Sequence, residues 1–187
     1  METPSHSYFV RHRSKGWLHW TMILIEPTIQ ARFGRAVRQR ALAVFLKEAA
    51  HALGLAGEVS VLLTGDEHIR KLNRVYRGKN KATDVLSFPA ADPSNGHAPV
   101  AGDLAISVET ALRQAADFGH PLATEVQVLI LHGLLHLGGY DHDADEGQMA
   151  RKETALRKRF GLEWGLIERT ARPAEPARPA GGRRSRR

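Results

Sequence analysis

The chain has 187 residues and a formal charge of +7, with 42% of its residues hydrophobic and 25% charged, a balance that suits one ordinary globular domain and excludes a large multidomain protein. It contains no cysteine, which excludes disulfide frameworks, zinc fingers and thiolate nucleophiles, so any metal site must be built from His, Asp and Glu. The excess charge sits at the ends: residues 171–187 carry +5 and residues 1–20 carry +2, leaving residues 21–170 neutral, so an argument for nucleic-acid binding must rest on a local patch.

Residues 1–20 lack an apolar core followed by a small-residue cleavage site, so they read as an irregular N-terminal extension rather than a secretory signal. Met22-Ile23-Leu24-Ile25 opens the first expected strand, and Met22 is itself a candidate translation start that N-terminal sequencing would settle. Arg35 to Leu53 then reads as a helix with Val37, Leu42, Phe45, Leu46 and Ala49 on one side and Gly54 as its stop. Glu58 to Leu63 is the second strand. Thr64 and Glu67 have capping-box spacing, which predicts a short helix from about Gly65 to Tyr76. A third strand, Asp84 to Phe88, is ended by Pro89, and a loop containing Asp92-Pro93-Ser94-Asn95-Gly96 leads to a fourth, Asp103 to Val108.

Three further helices are expected: Glu109 to Phe118, Leu122 to about Leu137 after Pro121, and Glu146 to Phe160. Ala171 to Arg187 is mostly Pro, Ala, Gly and Arg and reads as a disordered basic tail. These elements predict an α/β (α+β) single domain over residues 21–170, with a small four-stranded mixed sheet and about five helices. No apolar run approaches the roughly 20 residues a bilayer needs, so a soluble protein without a membrane partner is expected, and the absence of cysteine fits a cytoplasmic one.

The chemistry concentrates in His132-Gly133-Leu134-Leu135-His136-Leu137-Gly138-Gly139-Tyr140-Asp141-His142. His132 and His136, four apart on an apolar helix, leave the same face about one turn apart, and two glycines can fold the chain back to bring His142 to the same point. Three imidazoles at a helix C-terminus suit one Zn²⁺ with a fourth position left open, the pattern of catalytic sites. Such an ion brings a bound water to a pKa near 7 and draws charge off a phosphoryl or carbonyl oxygen, so hydrolysis is the natural chemistry.

In the metalloprotease helix His-Glu-x-x-His a glutamate serves as general base, but here Gly133 stands in its place. Close approach of substrate or of a neighbouring strand would account for that glycine. Glu125 lies on roughly the same face but about 10 Å up the helix, too far for direct proton transfer. Asp141, beside the third ligand, reads equally as an orienting acceptor, a base or a simple turn residue. His51, His68, His97 and His120 show no such arrangement and read as surface or packing residues.

The second informative stretch, Ile69 to Lys81, holds six cations (Arg70, Lys71, Arg74, Arg77, Lys79 and Lys81) and no acid. Such a run either binds phosphates or is a solvated face. If Arg77 approaches the metal, a phosphodiester held between guanidinium and ion forms a coherent transition-state site.

Together these stretches resemble the YbeY family of bacterial endoribonucleases. The matching pieces are Leu72-Asn73-Arg74-Val75-Tyr76-Arg77, Thr83-Asp84-Val85-Leu86-Ser87-Phe88-Pro89, Gly102-Asp103-Leu104 and the histidine motif, which fits the family pattern at every fixed position. The likeness spans about residues 22 to 165. It implies a metal-dependent endonuclease that prefers single-stranded RNA, matures ribosomal RNA, notably the 3′ end of the small-subunit 16S RNA, and serves ribosome quality control. It also implies zinc on His132, His136 and His142, Arg77 as the active-site arginine, and the ribosome or its small subunit, with assembly proteins, as partners. Two other readings compete: a metallopeptidase-like hydrolase using Asp141 or the metal hydroxide itself, and a ribosome-assembly factor that binds RNA around a structural metal.

Overall fold

In the computed structural model, which describes residues 21–90, 100–142 and 144–163, alternating apolar residues form four strands. They are β1 (Thr21–Ile25), β2 (Glu58–Thr64), β3 (Val85–Pro89) and β4 (Val100–Ser107), paired in the order β1-β2-β4-β3. The first, second and fourth run parallel, with Ile23 opposite Val61 and Val61 opposite Leu104; β3 runs antiparallel to β4, with Leu86 opposite Ala105. Because side chains alternate along a strand, Ile23, Val59, Val61, Leu63, Leu104 and Ile106 share one face and enter the main core, while Leu86 and Ala105 face the other way. The expected N-terminal extension over residues 1–20, the loop Asp92 to Gly96 and the basic tail 171–187 lie outside the described residues.

Six helices are present among the described residues: α1 (Pro27–Val37), α2 (Gln39–Leu53), α3 (Asp66–Arg77), α4 (Val108–Phe118), α5 (Leu122–Leu137) and α6 (Gln148–Phe160). α5 is apolar on every side because it runs through the middle, packed against α2, α4, β3 and β4, with Val128 to Leu135 all buried. α3 covers the opposite face of the sheet over β3 and β4, where Ile69 and Leu72 meet Leu86, Ala105 and Phe88.

Two expectations are corrected. The helix expected from Arg35 to Leu53 is two helices, broken at Arg38, which adopts a left-handed conformation at φ 55°. On one continuous helix Val37 and Leu42 would point about 140° apart. The break turns both inward, and both are fully buried. The left-handed residue costs about 1–2 kcal/mol, and burying Val37 returns about 1.5–3 kcal/mol. The start of α1 was signalled by Pro27, a residue preorganised for the first helical position.

The capping box at Thr64 and Glu67 does not form either. Gly65 is the N-cap of α3, and the Asp66 amide donates instead to Glu109 Oε2 at 3.0 Å, while Glu67 pairs with Lys71 at 2.7 Å. Asp66 in turn accepts from Ser107 Oγ, Thr110 Oγ1 and Arg113, so side chains tie the N-termini of α3 and α4 together across the ends of β2 and β4, while Ser107 Oγ caps α4 itself by accepting from Thr110 N–H. Smaller shifts occur at β4, which begins at Val100 rather than Asp103, and at α6, which begins at Gln148 rather than Glu146.

Candidate metal centre

The last two turns of α5 supply two of the three imidazoles. The helix end is closed by a pair of backbone bonds: Gly139 N–H donates to His136 O at 3.0 Å and Tyr140 N–H to Leu135 O at 3.1 Å, with Gly139 left-handed at φ 82°. This is the Schellman closure, and it requires the glycine. The chain reverses there and returns His142 to α5. The three rings meet edge to face with centroids 4.8 to 5.5 Å apart.

Nitrogens of His132, His136 and His142 lie within 4.8 Å of one another, and the Nε2 atoms of His132 and His136 are 3.1 Å apart. A tetrahedral ion with bonds of about 2.0–2.1 Å places its donors about 3.3 Å apart, so this helical pair is already spaced for one. An all-imidazole donor set suits zinc and its neighbours in the first transition row rather than Mg²⁺ or Ca²⁺, which take oxygen. Burial, reinforced by repulsion from the two neighbouring imidazoles, lowers the pKa of His136 and favours the neutral ring that a metal requires. The three residues therefore fit a metal ion.

One residue of this centre was missed in the sequence. Glu153, on α6 and 1% exposed, holds its carboxylate 3.3 Å from His132 Nδ1. A carboxylate on the far nitrogen of a ligating imidazole fixes its tautomer and orientation, leaving Nε2 to the ion. The signal available was an acid on the apolar side of α6, between the buried Met149 and Leu156, but nothing in the spacing ties it to a helix 21 residues earlier. Gly133 is explained by packing: a Cβ there would lie 2.7 Å from Leu104 Cδ2, so β4 crosses α5 where the metalloprotease glutamate would stand. Leu104 is itself buried.

The triad opens into a cavity of about 390 Å³, whose walls include Arg77, Thr83, Asp84, Ser87, Gln114 and Phe118. Of the six expected cations, Arg77 alone lines it. It is the last residue of α3, followed by left-handed Gly78, and it makes no ion pair among the described residues. Arg70, Lys71, Arg74, Lys79 and Lys81 are exposed outside the cavity, and Lys71 is committed to Glu67. Buried Asn73 secures the helix end, its side-chain amide donating to Lys81 O at 2.8 Å. Asp141 is not part of the wall; its carboxylate lies 3.8 Å from His142 Nδ1. Glu125 is buried away from the triad and holds His120 at 3.0 Å.

The one carboxylate in the cavity wall is Asp84, which the sequence reading placed only in a strand. It accepts from Val85 N–H at 2.8 Å, Thr83 Oγ1 at 3.1 Å and Gln114 Nε2 at 3.0 Å, which pins β3 to α4 at the rim. Among the described residues no helix is long and apolar enough to cross a membrane.

Comparison with known proteins points to one family. The family model described as Endoribonuclease YbeY matches residues 26–161. A protein of Koribacter versatilis named endoribonuclease YbeY is 47% identical over 141 residues, covering 75% of this chain and 90% of its own length. Proteins of the same name from Solibacter usitatus and Helicobacter pylori are 44% and 42% identical, covering 71% and 68% of this chain and 86% and 89% of their own lengths. A solution structure from Thermotoga maritima aligns over 87% of this chain and 99% of its own, at 24% identity and a TM-score of 0.49.

Proposed function

The chain belongs to the YbeY endoribonuclease family, and on that premise we propose that it is a zinc-dependent endoribonuclease that cuts single-stranded RNA during ribosomal RNA maturation. Its substrate in this reading is ribosomal RNA near the 3′ end of the small-subunit 16S species. Ribosome quality control, contact with the small subunit and its assembly proteins, and a cytoplasmic site of action belong to the same proposal. The observation that carries it is that Arg77 and the three imidazoles line one cavity, although the chain separates them by 55 residues or more.

His132, His136 and His142 would hold the ion, which when bound supplies a Lewis acid and acidifies water. The chain's own residues supply the rest. The Arg77 guanidinium presents two parallel N–H donors to the non-bridging oxygens of a phosphodiester and stabilises the charge that gathers there in the transition state. Glu153 holds the His132 ring in the tautomer that leaves Nε2 free, and Asp141 lies beside His142 in position to orient it. Outside the cavity, Arg70, Arg74, Lys79 and Lys81 form a cationic approach that attracts the RNA backbone, whereas Lys71, expected to join them, is paired with Glu67. The nucleophile is either water or the neighbouring ribose 2′-hydroxyl, and only the second strictly requires RNA.

The competing peptidase reading takes Asp141 as its base, but Asp141 is not part of the cavity wall, and the position of the metalloprotease glutamate, Gly133, lies against Leu104. Metal analysis of the purified protein, joined to cleavage of a single-stranded RNA with and without chelator, tests the proposal. About one zinc per chain and cleavage abolished by chelator are expected; chelator-resistant cleavage would overturn the catalytic role of the metal. Products ending in a 2′,3′-cyclic phosphate would assign the 2′-hydroxyl as nucleophile.

A further inference from the structure

The cavity wall holds one phenyl ring besides the imidazoles, and nothing in the chemistry above uses it. Phe118 is the last residue of α4 and is 38% exposed. Val44, Val75 and Leu112 are at least as exposed but lie elsewhere on the surface, whereas Phe118 opens onto the triad. The His120 ring lies nearly parallel to it, 11° between planes and 6.4 Å between centroids. His120 is in turn held through Nε2 by Glu125, whose carboxylate is fully buried in α5. A buried carboxylate is costly unless it is engaged, so Glu125 and His120 secure each other. Phe118 therefore has a parallel ring beside it before any ligand arrives, and a preorganised surface loses little entropy on binding.

A nucleotide offers a phosphate at one end and a flat π-face at the other, and this cavity offers a guanidinium and three imidazoles on some walls and a phenyl ring on another. We propose that Phe118 is a base platform: a nucleobase next to the scissile phosphate stacks on it while Arg77 holds the phosphate. A base reaches the ring only after leaving its own stack and its Watson–Crick partner, so the platform selects single-stranded substrate by geometry, without reading sequence. The inference rests on the RNA-cleaving role proposed above and names the part of the substrate that this wall takes.

Alanine substitutions at base-stacking aromatics weaken binding by about 5- to 150-fold per base. The test compares the full-length chain with Phe118→Ala, Phe118→Leu and Phe118→Trp on a single-stranded RNA oligonucleotide and on derivatives in which one base at a time is removed from its sugar. Single-turnover cleavage is measured together with the fluorescence of a 2-aminopurine placed at the sensitive position, since stacking on an aromatic ring quenches that probe. In the parent chain, removal of one particular base should cost about as much as Phe118→Ala does, and in Phe118→Ala that removal should cost nothing further. Phe118→Trp should keep the quenching and the rate, Phe118→Leu should lose both, and cleavage of paired RNA should be unchanged by all three.

Independent losses from base removal and ring removal at every position, or a parent-like Phe118→Leu, would overturn the platform while leaving the ribonuclease reading intact. A parent chain that neither binds nor cuts the intact strand would overturn the ribonuclease reading itself.

Discussion

Among the described residues, two cavities of similar size have their charges arranged in opposite ways. The larger, about 500 Å³, sits where β1, β2 and β4 end, among Glu26, Arg32, Glu67, His68, Lys71 and Glu109. Open α/β sheets usually bind ligands at the carboxyl ends of parallel strands, so position alone would favour this one. Yet every charge in it is taken: His68 pairs with Glu26, Arg32 with Glu109 and Lys71 with Glu67. The smaller, about 390 Å³, keeps three converging imidazoles, a guanidinium without an ion pair among the described residues and an exposed ring. Charges that satisfy one another hold helices together, whereas three imidazoles and a guanidinium that converge on one cavity are arranged for something that arrives.

That contrast predicts a graded set of outcomes. The largest is at the triad: His136→Ala should reduce RNA cleavage to the level of the chelated protein and remove the bound metal, with helix content retained by circular dichroism. Loss of the fold with unchanged activity per folded molecule would instead make the metal structural. Next, Arg77→Glu should cut kcat by about 10²- to 10³-fold, the range for one lost transition-state donor, while zinc content stays at the parent level. Undiminished cleavage would remove Arg77 from the mechanism. Glu153→Gln should weaken metal affinity by about 10- to 100-fold in a competition titration against a chromogenic chelator, with the melting temperature of the metal-loaded protein little changed.

The smallest effect belongs to the other cavity. Glu109 is held below the usual carboxylate range by the Asp66 amide and by Arg32. Burial raises Asp66, but hydrogen bonds from Ser107, Thr110 and Arg113 outweigh it and leave that carboxyl low as well. A carboxyl whose pKa falls on folding stabilises the fold above its unfolded pKa, about 4, and that contribution disappears as pH falls through the lower folded value. Glu109→Gln and Asp66→Asn should therefore each destabilise the protein by about 1–2 kcal/mol in urea at pH 7 and by much less at pH 3, with RNA cleavage unaffected. A large loss of cleavage in either variant would show that the two cavities are functionally linked.

Comparison of expectation and structure shows where local sequence suffices. The spacing of His132 and His136, the glycines after them and the boundaries of α5 were legible because they follow from helix pitch and from the conformations open to glycine, both properties of a few neighbouring residues. The four strands were legible to within a few residues for the same reason: their alternation is local, and their apolar sides match the core. The capping box failed because Glu109, 45 residues beyond Thr64 along the chain, supplies a better acceptor to the first turn of α3. The single helix from Arg35 failed because burial of Val37 outweighs the strain at Arg38.

The sequence by itself thus determined the chemical groups, their local spacing and the helix that carries two of the three imidazoles. Only the tertiary structure decided that Glu153 backs His132, that Arg77 alone among its cationic neighbours reaches the cavity, that Leu104 fills the space at Gly133 and that Phe118 faces the triad. Covalent geometry reaches across about one helical turn. Beyond that, which side chains meet is set by how helices and sheet pack to bury their apolar faces together, a property of the whole chain that no short segment contains.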